Sequence, residues 1–168
     1  MAQDTKTIEA ASEPTSDRLD LKVLPLTMCL YMVMLGILVT WVTAWILPIQ
    51  IGKPWGILGI VLLVISYRNI KWCFRLFSAA NTNTNTTKPA LAIVNAGPYR
   101  VSRNPMYLSY IVGYFGLGLI ANSWPMLLLT PLFVYFISVG IILPEEAYLE
   151  RVFGDKYLEY KKTRRRWI

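Results

Sequence analysis

Four long apolar runs, separated by short polar or basic segments, organise this chain. The first extends from Leu24 to Leu47 and stops at Pro48. A bilayer crossing takes about 20 apolar residues, so this run is long enough. The second begins at Trp55, after Gly52-Lys53-Pro54, and runs to about Tyr67. Its helix is predicted to continue through Ile70, Trp72 and Phe74 to Phe77, with Arg68, Lys71 and Arg75 at the water boundary. Such side chains lay apolar stems along a helix and extend their charges to the interface. The third run starts at Pro105, a favourable first helical residue, and ends at Ala121. Its Gly113, Gly116 and Gly118 predict close approach by another helix, within the monomer or between monomers. Asn122-Ser123 then make a turn and cap. The fourth run, Trp124 to Leu143, contains Pro131 as a candidate kink. After Glu146 the pattern turns amphipathic. Leu149, Val152, Phe153, Tyr157 and Tyr160 recur at helical spacing, with Gly154 as a break.

The fold class that follows is all-α and integral to the membrane, with four transmembrane helices and a C-terminal amphipathic cytoplasmic helix. Composition agrees. The 168 residues are 55% hydrophobic, above the roughly 45–50% usual for soluble domains. The net charge of +7 does not imply nucleic acid, because the basic residues flank the apolar runs as membrane proteins require. The turn at 48–54 holds only Lys53 and the turn at 121–125 holds no Lys or Arg. All other basic residues fall in the N-terminal tail, between Arg68 and Arg103, or in the C-terminal tail. Four crossings place those three regions together, so both termini and any site among them are expected on the cytoplasmic side. Residues 1–22 are polar, lack the apolar core of a signal peptide and read as a disordered cytoplasmic tail. The basic C-terminal tail reads first as an interfacial segment held by anionic lipid. Arg68, Lys71 and Arg75 read first as determinants of orientation.

Charge patterning supplies the candidate chemistry. No Asp or Glu occurs between Leu21 and Pro144, and then Glu145-Glu146 arrive as a pair at the end of the fourth run. Histidine is absent, which removes the commonest general base and metal ligand, and no metal site is expected. Cys29 and Cys73 lie in or beside apolar runs and read as buried thiols. Three segments should converge on one side of the membrane. They are the turn from Gly97 to Tyr107, the Glu145-Glu146 pair, and Phe153-Gly154-Asp155-Lys156-Tyr157. Each has an ordinary reading. Arg103 suits a headgroup anchor, Tyr99 and Tyr107 suit an interfacial belt, and acids suit the start of a helix.

Taken in order, Gly97-Pro98-Tyr99-Arg100, Arg103-Asn104-Pro105-Met106-Tyr107, the Glu pair and Phe153-Gly154-x-x-Tyr157-x-x-Tyr160 resemble the isoprenylcysteine carboxyl methyltransferases. The related integral-membrane phospholipid methyltransferases share the layout. The resemblance covers Leu91 to Ile168 and implies S-adenosylmethionine bound between the last two membrane helices and the C-terminal segment. It implies cofactor contacts from Leu91, Ala92, Ile93, Val94, Tyr99, Asn104, Pro105, Met106, Tyr107 and Glu145. Asn104 stands where the family often has His, and Ile141 stands where the eukaryotic enzymes have Arg.

Glu145 is expected to accept from ribose hydroxyls or an ammonium group. Arg103 is expected to hold a cofactor or substrate carboxylate bidentately. A carboxylate acceptor needs no base, whereas for an amine the candidates are Glu146, Tyr107 or water; the catalytic set is Arg103, Glu146 and Tyr107. The resulting division is 1–22 tail, 23–77 first two membrane helices, and 78–168 methyltransferase core. The expected acceptor is lipophilic, an isoprenylcysteine-like carboxylate or a lipid headgroup. Alternative readings are an NADPH-dependent membrane reductase of the sterol-reductase type and a non-enzymatic lipid-binding scaffold.

Overall fold

The computed structural model describes residues 8–10, 24–46, 54–83 and 89–168. Helix α1 spans Pro25–Ile46, α2 Pro54–Ala79, α3 Pro105–Ile120 and α4 Trp124–Ile137. A π-helical turn, Ser138–Ile142, joins α4 without a break to α5, Leu143–Phe153; α6 follows at Asp155–Thr163. Among the described residues, three helical stretches are long and apolar enough to cross a membrane: Pro25–Ile46, Trp55–Ala79 and Trp124–Phe153. Helix α3 is apolar but shorter, at 16 residues. The all-α membrane fold expected from the apolar runs is therefore present. The turn around Lys53, and most of the tail expected to be disordered, lie outside the described residues. Within that tail Ile8–Ala10 form a strand, β1, antiparallel to β2 at Ala92–Val94 with Ile8 opposite Val94.

Local chemistry fixes the helix starts. Pro25, Pro105 and Pro125 fall in first turns, where a missing N–H costs nothing. Ser123 caps α4 by accepting from the Met126 N–H at 3.2 Å, and its hydroxyl also bonds Thr40 of α1. Helix α4 runs through Pro131 as regular α-helix, and the irregularity falls instead at Ser138–Ile142. A π-turn accommodates one extra residue, so it rotates everything beyond it by about 100° around the helix axis. Glu145 and Glu146 lie just past that rotation. Gly154, at φ +54°, adopts a conformation that most residues resist, and there the chain leaves α5 for α6.

The helices pack up-down-up-down. Gly59 of α2 and Gly116 of α3 meet backbone to backbone; a Cβ built on Gly59 would lie 2.6 Å from the Gly116 carbonyl oxygen. Gly118 packs instead on Met126 and Leu127 of α4, so the close approaches predicted for the α3 glycines occur within the monomer. Near the other end of α2, Asn69 donates to the Ser109 hydroxyl at 2.7 Å. The central core joins Met32, Tyr107, Ile111, Tyr114, Phe133, Ile137 and Ile141. The outward faces of α1 and α2 remain apolar and exposed, with Leu26, Ile37, Trp41 and Trp45 on α1 and Ile57 and Ile60 on α2, as lipid contact requires.

Candidate active site

The end of the bundle that carries the C-terminus of α2, the N-terminus of α3 and the segment beyond the π-turn encloses a cavity. Its volume is about 930 Å³, counting the part open to solvent. Strand β2 forms one wall, α5 a second, and Tyr157 and Tyr160 of α6 a third. Of the residues expected to contact a cofactor, Ala92, Ile93, Val94, Tyr99, Asn104, Met106, Tyr107 and Glu145 line it. Leu91 and Pro105 do not. Leu91 is exposed and its N–H donates to Thr82 Oγ1 at 3.0 Å; Pro105 is buried and its carbonyl accepts from Asn69 at 3.2 Å.

The turn of Gly97–Arg100 presents Tyr99 inward. Gly97 has φ +53° and lies against the Trp72 ring, where a Cβ would come within 2.9 Å of ring carbon. Tyr99 packs edge-on against Phe77, with ring centroids 5.6 Å apart, and its carbonyl accepts from the Tyr160 hydroxyl at 3.0 Å. Burial pushes the Tyr99 phenol well above its ordinary pKa, and the neighbouring Cys73 and Glu145 add to the shift. Burial likewise raises Tyr157 and Tyr160. These phenols stay protonated, and that of Tyr160 is a neutral donor.

The two adjacent carboxylates have separate partners. The Tyr107 hydroxyl donates to Glu145 Oε2 at 2.6 Å, which joins the start of α3 to the start of α5 inside the cavity. Glu146 is gripped by two guanidinium groups. Arg103 Nη2 lies 2.8 Å from its Oε1 and Arg166 Nη2 lies 2.8 Å from its Oε2. Arg103 Nε also donates to Glu146 Oε1 at 3.2 Å, and Nη1 bonds the carbonyls of Lys161 at 2.9 Å and Arg164 at 3.0 Å. Arg103, expected to contact an anion, and Glu146, a candidate base, thus pair with each other in an ion-pair cluster.

The C-terminal segment completes this cluster. Arg103 N–H donates to the Arg165 carbonyl at 2.9 Å, Ser102 Oγ to the Arg166 carbonyl at 3.2 Å, and Asn104 Nδ2 to that same carbonyl at 3.1 Å. Trp167 packs against the central core. The sequence reading assigned these arginines to a lipid-held tail. Their run of like charge resembles any polybasic segment, and only the fold reveals that Arg166 has a carboxylate to meet. Phe77, Thr82, Asn83, Ala90, Tyr148 and Leu149 also line the cavity, and none of them is among the expected cofactor contacts. Tyr148 and Leu149 follow the Glu pair by one helical turn, which was the available signal for them.

An integral-membrane helical unit with an aromatic, carboxylate-bearing cavity at one end is the class these observations define. Residues 54–156 match the family model of the phospholipid methyltransferases. The chain belongs to that family. It is also 25% identical over 122 residues to the cobalt-zinc-cadmium resistance protein CzcN of Cupriavidus metallidurans (strain ATCC 43123 / DSM 2839 / NBRC 102507 / CH34). That alignment covers 73% of this chain and half of the relative's length. No solved structure matches the chain.

Proposed function

We propose that this protein is an S-adenosylmethionine-dependent methyltransferase acting on a lipophilic acceptor, an isoprenylcysteine-like carboxylate or a lipid headgroup. The observation that carries the reading is the Tyr107–Glu145 contact inside a cavity also lined by Tyr99 and β2. The lining combines apolar surface with a few placed polar groups, the make-up of a small-molecule site.

The residues present fit the cofactor. Glu145 supplies a carboxylate for ribose hydroxyls or an ammonium, each a charge-assisted acceptor contact. Tyr99, Phe77 and Met106 supply aromatic and polarisable surface for a flat base. S-Adenosylmethionine would supply an electrophilic methyl group. Tyr107 orients the Glu145 carboxylate through its hydroxyl. Arg103 and Glu146 act as positioning residues: their mutual ion pair holds the 102–104 loop and the C-terminal segment against α5. The proposed site lies on the cytoplasmic side, a reading supported by the distribution of Lys and Arg.

The test is a labelled-methyl assay with purified protein on total lipid extract and on a farnesylated cysteine analogue, with the labelled product identified. Transfer to a lipophilic product is expected. Absence of labelled product from both, together with a melting temperature in detergent raised by NADPH and not by S-adenosylhomocysteine, would overturn the assignment in favour of a reductase.

A further inference from the structure

An open surface groove of about 1230 Å³, counting its open part, runs along α2 from Ile65 to Arg75 and borders the α3 contact at Asn69. The α3-facing side of α2 is set by Gly59, Ser66 and Asn69, which meet Gly116, Gly113 and Ser109. Arg68, Lys71 and Arg75 follow the i, i+3, i+7 spacing of one helical face, within about 10 Å of helix length. All three are exposed, and none makes an ion pair among the described residues. The sequence offers them no acid nearby, since none occurs from Lys22 to Pro144.

Two aromatic rings frame the cations. Tyr67 is exposed below Lys71, whose ammonium sits 5.3 Å from the ring centroid, and Trp72 is half exposed beside them. The stretch of α2 that precedes the groove is apolar and outward-facing, with Val61, Val64 and Ile65 exposed. A ligand suited to this surface has an anionic head at the level of the three cations and acyl chains running along that stretch. Aromatic rings at headgroup depth complete the match. A soluble anion would satisfy the cations but not the adjoining apolar strip.

We propose that the Arg68–Lys71–Arg75 groove is a binding site for the phosphate headgroup of an anionic membrane phospholipid. The site is separate from the cavity. It touches the cavity's frame at one point, because the Trp72 ring that closes the groove packs on Gly97, at the start of the turn carrying Tyr99.

The test uses the full chain in detergent, titrated with phosphatidylglycerol, phosphatidylcholine or glycerol 3-phosphate, and bound lipid read by native mass spectrometry. Saturable phosphatidylglycerol binding is expected, with no saturable phosphatidylcholine binding. Arg68→Gln/Arg75→Gln should weaken it about tenfold or more, because each removed cation forfeits attraction to anionic headgroups. Two exposed lysines of α6 give a charge-matched control, and Lys156→Gln/Lys162→Gln should leave binding unchanged. Arg68→Lys/Arg75→Lys, which keeps both charges, should retain binding. Equal weakening by both glutamine pairs would reduce the effect to diffuse charge and overturn the proposal. Displacement of the lipid by equimolar glycerol 3-phosphate, or unaltered affinity in Arg68→Gln/Arg75→Gln, would overturn it as well.

Discussion

Glu145 and Glu146 are neighbours with opposite surroundings, and single substitutions should separate them. The Arg103–Glu146 pair is more than nine-tenths buried on both sides, whereas the Arg166 side chain is 38% exposed. A buried pair broken on one side leaves an uncompensated charge, so Glu146→Ala should cost about 3–5 kcal/mol. The Arg166 contact is screened by water, and Arg166→Gln should cost only about 1 kcal/mol or less. Melting temperatures in detergent check the order. Equal effects would mean that Arg103 finds another partner. The sequence singled out Glu145 as a candidate through the order of its motifs, and Glu145 lines the cavity. The division of labour within the pair was not legible. It depends on Arg166, 20 positions away, and on Arg103, 43 positions away, and neither spacing is a helical one.

At the scale of elements, length and apolarity gave away the helices, down to the extension of α2 past its last strongly apolar stretch and the break at Gly154. What the pattern concealed was continuity. The fourth run and the amphipathic segment are one helix from Trp124 to Phe153, with a π-turn in between. A π-turn is a change in backbone hydrogen bonding, and residues such as Val139, Ile141 and Ile142 suit an α-helix equally well.

Two predictions belong at this scale. Gly116→Ala places a methyl group against the Gly59 carbonyl, 2.8 Å away on a rigid backbone, and should destabilise the protein by about 1–3 kcal/mol. Gly56→Ala meets nothing within 4 Å and should be neutral or stabilise by about 0.5–1 kcal/mol through helix propensity. Thermal melts distinguish the two, and an unaltered Gly116→Ala would place α2 and α3 farther apart than described. Separately, removal of residues 164–168 strips the carbonyls that hold Ser102, Arg103 and Asn104. Helical content by circular dichroism should persist while methyl transfer is lost; retained transfer would show that the segment is dispensable to the site.

For the whole molecule, the bundle and the cavity divide the chain between them. The far end is tied by apolar and small-residue packing, with the Thr40–Ser123 contact as its polar stitch. The near end gathers the cavity, the ion-pair cluster and most of the described basic residues. That polarity predicts a single orientation, with residues 68–104 and the C-terminus facing the cytoplasm. A reporter fused to the C-terminus should be active only as a cytoplasmic form. The family match ends at residue 156, so Tyr157, Tyr160 and Arg166, which close the site, lie beyond it.

The central claim is that Glu145, held by Tyr107, receives a sulfonium nucleoside in this cavity. Equilibrium binding of labelled S-adenosylhomocysteine to the purified protein and to Glu145→Gln tests it most directly. The account predicts saturable binding, one ligand per chain, that stabilises the protein by about 2.7 kcal/mol at a hundredfold excess over Kd. Glu145→Gln should bind about tenfold or more weakly, since a charge-assisted hydrogen bond is lost, while melting like the native protein. No saturable binding to the native chain, or equal affinity in both proteins, would contradict it.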